Sequence, residues 1–201
     1  MAPKVVDKQL KRAQILRAAL RILAQQGVAN FKMDDIAAAA SVGKGTLYTY
    51  FPSKQDLISG TFAFLLEEFQ AYVESRLDTQ ATPRTQLSQY IKYSFEFCIR
   101  NKERLDALFD FYAAGIPRKD GRPPTVEMST QYRQSRRWLA GIIEQGIRTG
   151  EFRQVDPEAA AGMIIAVLDG LLYQAVVGVI SLYDTQLPRH LESLLMQGLG
   201  K

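Results

Sequence analysis

The stretch Ile36-Ala-Ala-Ala-Ala-Ser-Val-Gly-Lys-Gly-Thr-Leu-Tyr-Thr-Tyr-Phe51 constrains this chain more than any other. An alanine-rich segment of helical composition ends at a polar turn. A second short segment presents Lys44, Thr46, Tyr48, Thr49 and Tyr50, while Val42, Leu47 and Phe51 fall at spacings that face inward. Two helices of this size joined by a turn are the unit that lays one helix in the major groove of duplex DNA.

Charge is segregated in the same direction. Residues 1–54 hold nine Lys or Arg against Asp7, Asp34 and Asp35; the remainder holds sixteen basic against eighteen acidic residues, which leaves the chain at +4. A basic segment neutralises phosphates and releases their counterions, so the surplus lies where a DNA-reading end needs it. A solubilising basic terminus would look the same, so charge alone does not decide.

At 201 residues, 47% hydrophobic and 23% charged, the chain has the composition of a globular protein with room for a substantial core. The single cysteine, Cys98, excludes an internal disulfide and suits a reducing compartment. No leader pattern follows Met1, and a cytoplasmic protein is expected. Residues 163–178 come nearest to a membrane span, but Asp169 and Gln174 interrupt them, so a buried helix is expected there instead.

Helix punctuation runs along the whole chain, and no segment alternates as a strand would. Asp7 is placed to cap a first helix whose apolar face is Ile15, Ala19, Ile22 and Leu23, with Gly27 as its stop. Helices are predicted over 33–40 and 44–50. A fourth, capped by Ser53, extends toward Leu77 and is long enough to act as a rigid connector. After Pro83, Leu87, Tyr90, Ile91, Ser94, Phe95 and Cys98 mark a fifth helix, and 103–114 a sixth. Residues 115–124 read as a loop and 126–149 as a long helix ended by Gly150. Asp156-Pro157-Glu158 opens a nearly all-apolar helix to Ile180, and a last helix follows Pro188.

The string Met33-x-x-Ile-Ala-x-x-Ala-x-Val-x-Lys-Gly-Thr-Leu-Tyr-x-Tyr-Phe51, followed by Ser-Lys-x-x-Leu57, closely resembles the signature of the tetracycline-repressor (TetR) family of bacterial regulators. Thr149-Gly-Glu-Phe, Asp156-Pro-Glu-Ala-Ala and Leu168-Asp-Gly-Leu171 are similar to its acyl-CoA-responsive and choline-responsive subgroups. The resemblance implies an all-α chain: a three-helix helix-turn-helix domain over 1–53, joined by the long fourth helix to a ligand-binding and dimerisation domain over 54–201. It also implies a repressor that binds a palindromic operator as a dimer and is released by a small, largely apolar or aromatic effector.

Within that motif, Lys44 and Thr46 open the recognition helix, where base edges and phosphates come within reach, and Tyr48 and Thr49 follow on its outer side. Gly45 leaves room for close approach of the backbone to DNA. Tyr50 and Lys54 are placed to hold phosphates, and the amino end of the fourth helix favours an anion. Three positions depart from the family pattern. Ser41 stands where glycine is usual, Gly43 where Ser or Thr caps the recognition helix, and Lys32 where Ser or Thr precedes the second helix. Lys32 exchanges a cap for a charge that faces phosphate.

The C-terminal body shows no catalytic set. His190 stands at a helix start, Cys98 lies on an apolar face, and no spacing suggests a metal or a phosphate loop, so neither an enzyme nor a cofactor is expected. Its aromatics are the candidates for an effector site: Phe62, Phe69, Tyr72, Tyr93, Phe97, Phe109, Tyr112, Trp138 and Tyr173, each of which is also an ordinary core residue. Asp169 is the sharper candidate, a carboxylate in an apolar helix that needs a ligand, an arginine such as Arg136 or Arg137, or a helix end. Small residues at 159–162, 166, 170, 175 and 178, with Leu191, Leu194, Leu195 and Leu199, suit a two-fold contact in which each subunit gives two helices. The expected partners are duplex DNA, a second copy of the chain and a small-molecule effector, with no membrane. A constitutive DNA-architectural protein without an inducer is the alternative.

Overall fold

The structure, a computed structural model, describes residues 8–113 and 126–200, without the side chains of 28–29, 108–113 and 126–128. These residues form helices α1 (Lys8–Asn30), α2 (Met33–Ala39), α3 (Lys44–Tyr50), α4 (Lys54–Glu74), α5 (Pro83–Arg100), α6 (Lys102–Ala113), α7 (Val126–Thr149), α8 (Pro157–Val176) and α9 (Leu187–Leu199). Among the described residues there is no strand, and a lone antiparallel bridge joins Phe152 to Gly200. The expected all-α architecture is therefore observed. The expected loop at 115–124 lies outside the described residues.

The chain divides into two compact units, one drawn from Met1–Leu66 and Glu103–Ser129, the other from Glu67–Lys102 and Thr130–Lys201. In the first, Ile15, Leu16, Ala19, Leu20 and Leu23 of α1, Ile36 and Ala37 of α2 and Leu47 of α3 are buried, and α2 packs against both α1 and α3. Gly27, at φ 72°, breaks the helical path of α1 where the sequence places its stop, and a last turn carries on to Asn30. α2 begins where the Lys32 N–H donates to Asp35 Oδ2 at 3.2 Å, the acid three residues on satisfying an orphan donor. Ser53 caps α4: its Oγ accepts from the Asp56 N–H at 3.0 Å and donates to Asp56 Oδ2 at 2.7 Å.

The second unit is built on the last turns of α4 with α5, α7, α8 and α9. Val73, Leu87, Tyr90, Leu139, Ile143, Phe152, Ala161 and Ile164 form one buried cluster, and Ile91, Phe95, Ala175, Leu182 and Leu191 a second. The Thr-Gly-Glu-Phe string has a local cause. Gly150 takes φ 79°, turning the chain so that Phe152 folds back onto Gly146, where a Cβ would overlap its ring. Asp156 caps α8, accepting from the Glu158 and Ala159 N–H groups at 2.9 and 3.1 Å.

Three expectations are corrected. α8 ends at Val176, short of Ile180, and α9 begins at Leu187, one residue before Pro188, which occupies its first turn. More important, α8 is not a buried helix within one chain. Only Ala161, Ile164 and Ala175 of α8 are buried, while Met163, Val167 and Tyr173 expose large apolar side chains, and Val177 and Val179 do the same just beyond. α8 has the length and hydropathy of a membrane span, yet little of it is buried. The helix is apolar all round, but only one stripe of it finds neighbours in its own chain.

Candidate nucleic-acid interface

The recognition segment is a two-sided object. Leu47 and Phe51 are buried and Val42 half-buried, so α3 is anchored along one face; Lys44, Gly45, Thr46, Tyr48 and Thr49 are all exposed on the other. The turn that sets α3 against α2 is held by the Val42 N–H donating to the Ala37 carbonyl at 2.9 Å, with Ser41 at φ 51°, the single non-glycine at positive φ among the described residues. The position therefore has the conformation that favours glycine, and this chain fills it with serine. Gly43 precedes α3 in extended conformation and offers no side-chain cap.

Each expected contact residue has a definite setting. Lys32 is exposed at the start of α2. Lys44 Nζ lies 2.9 Å from Asp34 Oδ1 and 3.0 Å from Oδ2, and that carboxylate holds the ammonium above its ordinary pKa. Nothing lies within 4 Å of where a Gly45 Cβ would be, so the outer side of the helix start is open. The Thr49 hydroxyl donates back to the Gly45 carbonyl at 2.9 Å, which fixes its rotamer. Tyr48 is exposed and Tyr50 half-buried.

Lys54 has a second task. Its Nζ donates to the Phe31 carbonyl at 2.9 Å and sits 4.0 Å from the centroid of the Phe31 ring, tying the start of α4 to the α1–α2 junction. Partial burial lowers its pKa. One of three ammonium protons is used this way, which leaves two for water or phosphate. The sequence did not point to Arg12, whose guanidinium lies 5.5 Å from the Phe51 ring centroid, or to Asp34; neither contact has a short-range spacing that would reveal it.

The aromatic set separates. Phe62 is buried in the first unit. In the second, Phe69 packs edge-on against Tyr90 and Phe97, and Tyr72 edge-on against Phe97, while Trp138 lies tilted against Tyr90 and Tyr93 is half-buried beside them. Tyr173 is exposed on α8 and is not brought to this cluster. Phe109 and Tyr112 lie outside the residues with described side chains. A cleft of about 240 Å³ opens between α7 and α8, lined by Tyr132, Arg133, Arg136, Gly162, Ile165, Ala166 and Asp169. Among the described residues, Asp169 is the one expected effector residue that lines it. Burial raises its carboxyl pKa and a hydrogen bond from Tyr132 opposes the rise, while Arg136 pairs with Glu158 at 2.7 Å. Burial pushes the Cys98 thiol up to about 12, and the Asp169 carboxylate adds to the rise.

An exposed polar and aromatic helix, joined by a tight turn to a second helix of equal length in the basic part of the chain, has the form of a helix-turn-helix DNA-binding unit. Comparison with known proteins carries this further. Residues 15–60 match the family of bacterial regulatory proteins, tetR family, and residues 83–200 match the C-terminal region of BetI-type transcriptional repressors. The chain belongs to the TetR family of transcriptional regulators. It is 26% identical over 168 residues to the fatty acid metabolism regulator protein of Bacillus subtilis, covering 81% of this chain and 82% of that one. It is 30% identical over 133 residues to the HTH-type transcriptional regulator BetI of Agrobacterium fabrum, covering 66% and 65%. The crystal structure of FadR from Bacillus subtilis in complex with stearoyl-CoA shares its fold at a TM-score of 0.73 and 24% identity, over 92% of this chain and 97% of that one. These relatives are named as regulators, not as enzymes.

Proposed function

We propose that this chain is a homodimeric repressor, acting in the cytoplasm, that reads a palindromic operator through residues 1–53 and is released by an effector bound in residues 54–201. The exposed face of α3 carries the reading: Lys44, Gly45, Thr46, Tyr48 and Thr49 point outward over a buried Leu47–Phe51 seam, and Lys32, Tyr50 and Lys54 flank them. The exposed apolar stripe of α8 supports the dimer, because an unpartnered surface of that kind is covered in water. A dimer fixes the separation of two α3 helices and so the half-site spacing.

For the effector, the α7–α8 cleft and the aromatic cluster beside it support a small, largely apolar ligand with a polar end that meets Asp169, Tyr132 or Arg133. Release needs an effector with unequal affinity for the operator-binding and operator-free states.

Footprinting on a duplex selected from a random library tests the reading head. Tyr48→Ala is expected to relax or abolish site preference, and Thr46→Ala to weaken it. Equal operator binding by free and ligand-loaded protein across a broad ligand screen would remove the effector and favour a constitutive architectural role.

A further inference from the structure

We infer that Asp34 is a specificity-determining residue, an acid set in the DNA-reading face that neutralises Lys44 in the free protein and so suppresses binding to the wrong sequence. The inference rests on the reading of α3 as the helix that meets DNA.

The reading head holds few acids. Among the described residues up to Lys54 they are Asp34 and Asp35 alone. Asp35 is accounted for by the start of α2, where its carboxylate accepts from the Lys32 N–H. Asp34 reaches instead across the turn to α3. Both its oxygens lie within 3.0 Å of Lys44 Nζ, with the two side chains 61% and 63% exposed. An exposed pair so placed adds little to folding, because solvent screens it. Its effect falls on what approaches from outside.

Lys44 is the first residue of α3, where a phosphate or a base edge arrives. With Asp34 beside it, the ammonium presents almost no net charge to a duplex at a distance, so it contributes little to the sequence-independent attraction. In register, a fixed acceptor on the operator displaces the carboxylate, and Lys44 is gained as a contact. Out of register, no acceptor replaces Asp34, and a phosphate brought near α3 meets its negative charge. The pair therefore lowers affinity for random sequence more than affinity for operator. Specificity is that difference, obtained by a repulsive element as much as by an attractive one.

The test uses the full chain and two probes of equal length, the palindromic duplex selected by wild-type protein from a random library and a random-sequence duplex. Asp34→Asn keeps the size and an acceptor for Lys44 but removes the charge; Asp34→Ser, a residue suited to a helix start, repeats the test should the first variant unfold. Either is expected to bind random sequence on the order of tenfold more tightly at low salt, with the slope of log K against log salt steeper by about 0.9, the value for one added phosphate contact. Operator affinity is expected to change by clearly less than random-sequence affinity does. In a Lys44→Met background the same substitution is expected to raise random-sequence binding much less. An unchanged random-sequence affinity and salt slope overturns the inference, as does an equal gain on both probes, which is the signature of net charge alone. If wild-type protein selects no sequence at all, the reading of α3 fails and this inference falls with it; if it selects one and Asp34→Asn behaves as wild type, only the inference falls.

Discussion

Gly60 and Phe51 approach so closely that no side chain fits between them: a Cβ on Gly60 would lie 2.8 Å from Cε1 of the Phe51 ring and 3.4 Å from the Arg12 guanidinium. Phe51 closes α3 and is buried, so the ring that ends the recognition helix is wedged against α4 on one side and lies under Arg12 on the other. The bare α-carbon of Gly60 sets how deeply α3 is seated.

Gly60→Ala is therefore expected to lower Tm and operator affinity together. Overpacking costs about 1–3 kcal/mol, against about 1 kcal/mol returned by helix propensity. At this chain length each kcal/mol is worth about 2–4 °C. Phe51→Leu added to Gly60→Ala vacates the contested volume and should recover part of both losses. A double variant no better than Gly60→Ala would show that the contact does not set α3.

Ser41 invites the opposite experiment. Its φ of 51° is a conformation that costs an L-residue about 1–2 kcal/mol, and glycine there loses some of that gain to its greater freedom when unfolded. Ser41→Gly is expected to raise Tm by a few degrees, on the order of 0.5–1 kcal/mol, with operator selection unchanged. A fall in Tm would mean that the serine side chain makes up for its backbone.

Lys54 separates two roles that the sequence merges. Read from the motif alone, it is a phosphate holder, and its loss would weaken DNA binding evenly across sequences. Because it also ties α4 to the Phe31 carbonyl and ring, Lys54→Ala is expected to lower Tm as well as affinity. Lys54→Met keeps the stem over the ring and should recover part of the Tm but not the affinity. Thermal melts beside salt-dependent binding of the three proteins check this.

Much of the helix framework is legible in the sequence because local chemistry marks it. Asp156-Pro157 starts α8, Gly150 ends α7, Gly27 breaks α1 and Ser53 starts α4, each within a few residues of its cause. The DNA-facing side of α3 is legible for the same reason, since Leu47 is buried, Lys44, Gly45, Thr46, Tyr48 and Thr49 are exposed, and Tyr50 lies between. What escapes the sequence is pairing at a distance. Lys44 meets Asp34 across a turn, Lys54 reaches back to Phe31, and Asp169 finds Tyr132 on another helix rather than Arg136, which Glu158 takes. No periodicity encodes such choices. The aromatics show the same limit: Phe69, Tyr90, Phe97 and Trp138 pack on one another, while the described cleft lies between Tyr132 and Asp169, where composition is unremarkable.

Asp169 gives a dependence on pH with a definite sign. Its folded pKa is raised by burial above the ordinary 3.8, so between those values the unfolded chain ionises while the folded one keeps its proton. Stability falls as pH rises through that window, and the penalty is complete above the folded pKa. Asp169→Asn, which still offers Tyr132 an acceptor, is expected to melt above wild type at pH 7, with the difference closing as pH falls below the ordinary carboxylate value. A variant less stable than wild type at pH 7 would point to a cation that compensates the charge in the assembled protein.

The α8 stripe gives the last test. Met163 and Val167 stand one turn apart on the same face and are 69% and 43% exposed, with Leu194 of α9 68% exposed. If a second copy covers them, a glutamate at either α8 position buries an unpaired charge in the interface, and the dimer dissociates. Val167→Glu is expected to sediment as a folded monomer with wild-type helicity. It should bind each half-site separately, losing the gain that comes from holding two reading heads on one duplex, about a hundredfold or more. A variant that stays dimeric and binds operator as before would assign this stripe to some other partner, and the two-fold operator would lose its physical basis.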